Sequence, residues 1–261
     1  NALSKANSKL DQAVKQQDQI AEAMALKEIA LIHLTRTFNY DSAIKFLVQA
    51  LAIEDLLQRK DKLVFTYLAI AQVFEKVGNY PKGTEYLKLA LLLNESQHNR
   101  AVDALILNEL GKINASKGQV EEAFENYQLV LVYRDEIKRP KVDAEALFNL
   151  AHLYTMQGKY NEALQNHKLA LAIRRSINDK KNEAQSLNDI GELYGLMKNA
   201  EKAMANHLVA LEIRQKLKDK KGIAESYNNI GMEYYHQKNF NRAIANLDLA
   251  LEAGKESGDQ H

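Results

Sequence analysis

The sequence predicts an all-α solenoid of about six helix hairpins, and three observations carry that prediction. A period of 40 residues runs without insertion or deletion. Small residues stand at Ala43, Gly83, Ala123, Ala163, Ala203 and Ala243; seven positions on come Ala50, Ala90, Val130, Ala170, Ala210 and Ala250, each followed by leucine, from Leu51 to Leu251. Within each period, apolar residues recur at spacings of three and four in two separate stripes, the mark of two amphipathic helices. Alanine and leucine are abundant, β-branched runs are scarce and only two prolines occur, which favours helix over sheet. A lone hairpin cannot bury its apolar face, but stacked copies can, so a fixed period of this length reads as an array.

Over residues 1–21, Leu3, Leu10 and Val14 have helical spacing, and no glycine or proline separates them from the first repeat. They are expected to form an N-terminal helix, either a cap or the second helix of a partial repeat. Six units are expected at about 22–62, 63–101, 102–141, 142–181, 182–221 and 222–256, so the array as a whole occupies 22–261. First helices are predicted over 22–37, 63–77, 102–117, 142–157, 182–197 and 222–237. Second helices are predicted over 40–57, 80–95, 120–136, 160–176, 200–217 and 240–256.

The fourth unit is representative. Leu147, Leu150, Ala151 and Tyr154 form one helical face, Gly158 interrupts it, and Tyr160, Ala163, Leu164, His167, Ala170 and Leu171 form the second. Glycine just past a helix adopts the left-handed conformation that closes the last turn. The polar run Asn178-Asp179-Lys180-Lys181 is expected to end the unit. Asn39, Asn79, Asn199 and Asn239 occupy the corresponding turns elsewhere and, because asparagine tolerates positive φ, are expected as turn residues. Ala71, Gly111, Ala151, Gly191 and Gly231 on first helices are expected to let the two helices of a hairpin approach closely. The last hairpin has no further repeat to cover its apolar side, so this end is expected to continue into more chain or to meet another molecule, self-association included. Because residue 1 is asparagine, the sequence is expected to be a piece of a longer protein.

Composition narrows the classes. The formal net charge is +1, which gives no field to attract nucleic acid or an acidic membrane surface. No apolar run approaches the ~20 residues that span a bilayer. Cysteine is absent, so disulfides, thiol catalysis and thiolate metal sites are excluded. That fits a cytoplasmic setting and, for a segment of a membrane sensor, a periplasmic one. Phosphate-loop, zinc-protease, nucleophile-elbow and dinucleotide motifs are all missing, and the carboxylates are spread over solvent faces. No catalysis, cofactor or metal is expected.

The order Leu150-Ala151, Tyr154, Gly158, Tyr160, Ala163, Ala170 resembles the signature of the tetratricopeptide repeat. Residues 190–210 and 230–250 resemble it too, the former with Ala200 in an aromatic slot. The resemblance covers about 22–256, with a 40-residue unit instead of the usual 34, as in the repeats of bacterial sensor kinases and of animal spindle-orientation adaptors. It is weaker in two units, where Leu31 and Leu34 replace a first-helix aromatic and where Asn114 and Val120 take aromatic slots. The resemblance implies a right-handed superhelix whose concave groove, lined mainly by first helices, holds a peptide or helix of a protein partner. It also implies a scaffold or sensory role within a larger signalling protein, or reception of a small signalling peptide that changes the superhelix pitch.

Residues projecting into that groove are then Asn108, Lys112, His152, Asn188, Glu192, Asn228 and Met232, together with Tyr235 as an exposed aromatic contact. Asn108, Asn188 and Asn228 share one register, and an amide can pair with the backbone of an extended peptide. His167 and His207 share a register on second helices. Adjacent repeats hold them roughly 10 Å apart, too far for one ion, so packing is expected. Arg134, Arg174 and Arg214 fall near second-helix ends, where a cation complements the helix dipole.

Overall fold

The computed structural model describes residues 2–96 and 98–258, and the chain divides into two units, 1–137 and 138–261. Among the described residues there are fourteen α-helices and no strand. The N-terminal unit holds α1 (Ala2–Lys15), α2 (Gln19–Ile32), α3 (Tyr40–Leu56), α4 (Lys60–Lys76), α5 (Tyr80–Glu95), α6 (Arg100–Ser116), α7 (Val120–Val132) and the single turn α8 (Arg134–Ile137). The C-terminal unit holds α9 (Pro140–Met156), α10 (Tyr160–Ser176), α11 (Lys180–Leu196), α12 (Ala200–Leu217), α13 (Lys220–His236) and α14 (Phe240–Ser257). Within each unit, consecutive helices pack as antiparallel hairpins, and each hairpin stacks on the next. No described helix is long and apolar enough to cross a membrane.

Two details depart from the expected helices. The first helix of the first repeat ends in a π-helical turn over His33–Thr37, with Thr35 Oγ1 bonding back to the Leu31 carbonyl. The expected helix 120–136 breaks at Tyr133, whose ring carries the Arg100 guanidinium 4.8 Å from its centroid.

The turns run on half the repeat period. Left-handed residues fall at Gln17 and then, one every 20 residues, at Phe38, Gln58, Gly78, His98, Gly118, Lys138, Gly158, Asn178, Lys198, Lys218, Lys238 and Gly258. Gly158, at φ +72°, closes its helix as expected. The asparagines do something else. Asn39, Asn79, Asn199 and Asn239 have φ between −86° and −105°, and each side chain accepts a bond from the backbone N–H three residues on. They are N-caps, satisfying a donor the helix start leaves open. The left-handed residue precedes them. Asp179 and Asp219 cap likewise, so the polar run 178–181 starts the next first helix two residues earlier than expected.

Small residues seat large ones, as expected. A Cβ on Gly111 would lie 2.4 Å from the Tyr127 ring, and one on Gly191 would lie 2.5 Å from the His207 ring. In both, a second-helix ring rests on a first-helix glycine. Gly191→Ala is expected to lower stability by roughly 1–2 kcal/mol, because overpacking exceeds the gain in helix propensity. Thermal melting of the variant checks this, and an unchanged Tm would show that the ring yields freely.

A buried polar residue near the end of most second helices joins one hairpin to the next. Glu54 accepts from Thr66 Oγ1 at 2.6 Å, Arg174 Nη1 donates to Ser186 Oγ at 2.5 Å, and Arg214 Nη1 donates to Ser226 Oγ at 2.8 Å. Each bond spans 12 residues. Asn94, in the same register, donates to Asp103 Oδ1 at 2.7 Å. Arg174 and Arg214 also donate to the Asn182 and Gly222 carbonyls. These arginines are therefore inter-hairpin ties and not helix-end cations open to solvent; Arg134 alone of the three is exposed. On α14, Ile244 and Leu251 are exposed, where Leu171 and Leu211 in the latter's register are buried.

Candidate functional site

Along the first helices of each unit, polar side chains cross between neighbouring ones at a step of 37 residues. In the N-terminal unit Gln72 Nε2 donates to Glu109 Oε1 at 3.0 Å. In the C-terminal unit His152 Nε2 stands 3.2 Å from Asp189 Oδ2, and Asn229 Nδ2 donates to Glu192 Oε1 at 2.7 Å. The repeat period explains the step: one column holds Gln72, Lys112, His152, Glu192 and Met232, and the column it reaches holds Glu109, Asn149, Asp189 and Asn229. The second column is legible in the sequence as four polar residues on the otherwise apolar side of first helices, yet sequence reasoning missed it.

In the N-terminal unit, Lys112 Nζ pairs with Glu109 Oε1 at 3.0 Å beside a cleft of about 440 Å³ lined by Leu34, Tyr40, Gln72 and Lys76 among others. Asn108 is buried.

The C-terminal unit has a denser network. Asn188 is fully buried. Its amide donates to Glu192 Oε1 at 2.9 Å and Glu225 Oε1 at 3.0 Å, while its oxygen accepts from Asn229 Nδ2 at 3.1 Å and His207 Nδ1 at 3.2 Å. Both donors and both lone pairs are thus used, which leaves nothing to offer a peptide backbone. The expected ladder of asparagines dissolves here: Asn108 and Asn188 are buried, and Asn228 is exposed. Arg214 extends the network, donating to Gln185 Oε1 at 2.8 Å and Glu225 Oε2 at 3.2 Å.

Beside this network, α11 and α13 border a cleft of about 690 Å³. Glu192, Glu233, Asn229 and His207 supply its polar lining, Leu196 and Met232 its apolar lining, and Lys198 and His236 complete its wall. Burial raises the Glu192 carboxyl, and the Asp189 and Glu225 charges raise it further. Burial raises Glu233 as well. Burial lowers His207 to about 4, with the Arg214 charge acting in the same direction, so its imidazole is neutral near pH 7. The cleft therefore holds two carboxyl groups raised mainly by burial, with Lys198 and His236 on its wall.

Of the residues expected in the groove, Glu192 and Met232 share this cleft, and Asn188 underlies it. His152 is half-exposed on α9 and reaches Asp189 instead. Tyr235 stands at the α13–α14 turn, its ring 5.8 Å from that of Phe240.

Helix hairpins of constant sequence period, small residues under large ones and polar rungs along the first helices define a helical-repeat protein. Comparison makes the class specific. Residues 142–216 and 223–257 match family models described as tetratricopeptide repeat. These stretches of the C-terminal unit are tetratricopeptide repeats. No curated protein matches it. Among solved structures it is similar to BtubC (BKLC) from P. vanneervenii, at 21% identity over 85% of this chain and 94% of that one, with a TM-score of 0.73. It is similar to the apo form of RapI at 13% identity over 99% of both chains, with a TM-score of 0.70. It is also similar to a Rap protein complexed with competence and sporulation factor, at 18% identity over 97% of this chain and 74% of that one, TM-score 0.67. At these identities the likeness is one of fold.

Proposed function

We propose that this chain is a protein-interaction module, and that the cleft between α11 and α13 receives a peptide or helix of its partner through a basic side chain. The observation that carries this reading is the pair Glu192 and Glu233 in one cleft of about 690 Å³, both raised by burial. A lysine or arginine placed there gains a charge-assisted bond in a partly dry setting, while Met232 and Leu196 cover its aliphatic stem. A tetratricopeptide-repeat fold is in general a scaffold for such contacts, and the motifs of common enzymes are missing from the sequence. The Rap structure complexed with competence and sporulation factor supports the reading, since a fold of this kind there accommodates a bound factor.

An array of random short peptides probed with the purified protein tests the proposal. Binders are expected to be enriched in lysine or arginine, and the double variant Glu192→Gln, Glu233→Gln is expected to bind them roughly tenfold more weakly or worse, with an unchanged Tm. Binders without basic residues, or binding untouched by the double variant, would overturn it. Asn188→Ala is not a usable probe of the ligand, because that side chain holds four internal bonds.

A further inference from the structure

His167, on α10, is buried to 1% exposure, and its Nδ1 has no hydrogen-bond partner. Its counterpart one repeat on explains why. His207 donates to Asn188 and sits over Gly191. One repeat earlier, Phe148 stands in the register of Asn188 and Ala151 in that of Gly191. The phenyl ring offers no acceptor, and the Ala151 methyl fills the space that glycine leaves open beneath the His207 ring. His167 instead packs edge-on against Phe148 and against His152, with ring centroids 5.3 Å away in both cases. Asp189 Oδ2, on α11, is the second orphan: it is buried and accepts no hydrogen bond, although His152 Nε2 lies 3.2 Å away.

One ligand atom from each of His152, His167 and Asp189 lies within 4.8 Å of the others. Two imidazoles and a carboxylate are a donor set for a first-row divalent metal, and three protein ligands leave one position for water. Ligand atoms around a tetrahedral zinc are about 3.3 Å apart, so the triad has to tighten by roughly 1.5 Å. The half-exposed His152 side chain has the freedom to do so, and it also gives the ion a way in. Asp189 is already aimed: its Oδ1 accepts from Gln185 Nε2 at 2.8 Å, the kind of outer bond that orients a ligating carboxylate. Arg174 is the nearby cation that opposes a metal; its guanidinium lies 4.2 Å from the Phe148 ring and is tied to Ser186 and the Asn182 carbonyl.

We infer that His152, His167 and Asp189 form a binding site for a divalent transition-metal ion, Zn²⁺ being the best match to the donor set. The site is separate from the basic-peptide cleft, so each stands or falls without the other. It joins α9, α10 and α11, two successive hairpins, so metal binding fixes their packing.

Titration of the untagged, metal-stripped protein with Zn²⁺ against a chromophoric chelator, paired with Co²⁺ absorption spectra, tests it. One equivalent of Zn²⁺ is expected, with a Tm rise on binding and a Co²⁺ spectrum of low coordination number. His152→Ala alters only a half-exposed side chain and is expected to lower affinity about tenfold or more, by the usual cost of a lost ligand. Asp189→Asn is expected to do the same, whereas His98→Asn, an exposed histidine of the N-terminal unit, leaves the titration unchanged. No stoichiometric binding, or binding that survives His152→Ala, would overturn the inference.

Discussion

Ala163→Arg is expected to unfold the C-terminal unit at ambient temperature. Ala163 is completely buried on α10. By the 40-residue register it occupies the place of Gly83, where even a methyl group would lie 2.8 Å from Ile113 Cδ1 and 3.4 Å from the Ala71 carbonyl. A guanidinium there has neither room nor a counter-charge. The loss combines overpacking with an unpaired buried charge, and ~4 kcal/mol or more is expected. Urea denaturation followed by circular dichroism checks it. A loss below about 1 kcal/mol would mean that the hairpin opens to let the side chain reach solvent.

The second large effect is acid sensitivity, to which His207 contributes alongside His167, also lowered to about 4 by burial. The folded value of His207, about 4, lies below the unfolded value of 6.5. Between those two values the unfolded chain binds a proton that the folded chain refuses. Stability therefore falls as pH drops from about 6.5 and the contribution is lost by about pH 4, amounting to ~3 kcal/mol at full development. The structural reason is that charging the ring places a cation beside Arg214 in a setting already closed to water. His207→Gln keeps a donor for Asn188 and removes the titration. Its stability is expected to decline less steeply than that of the unaltered chain over the same pH range. Parallel curves would place the acid sensitivity elsewhere.

Most of the fold was legible because packing is written in columns. Ala43 to Ala243 and Leu51 to Leu251 repeat where helices touch, and helix positions follow within a few residues. The turns were legible in place but not in chemistry. Asparagine serves both as a left-handed residue and as an N-cap, and composition alone does not separate the two; the left-handed positions fell to Phe38, Lys198 and Lys238, unremarkable by residue type. The candidate site was less legible, for a physical reason. A polar residue on a first helix reads the same from sequence whether it faces a ligand or a neighbouring rung. Asn188 turned inward because Glu225 and Asn229 come from the next repeat to meet it. The pairing is visible only when the column of Glu109, Asn149, Asp189 and Asn229 is set against that of His152 and Glu192. The meeting of His152 with His167 was hidden because His167 was compared with His207, its equal in register, and not with the helix beside it.

The buried ties between hairpins bear on how the length of this array can change. Removing residues 175–214 would bring Ser226 and Gly222 to Arg174 in place of Ser186 and Asn182, so hydroxyl and carbonyl both return and the join closes with its chemistry intact. Removing 55–94 would instead bring the buried, apolar Ile106 to Glu54 in place of Thr66. Loss of one repeat is thus expected to be tolerated better at the Arg174 join than at Glu54, where a buried carboxylate would lose its hydroxyl partner.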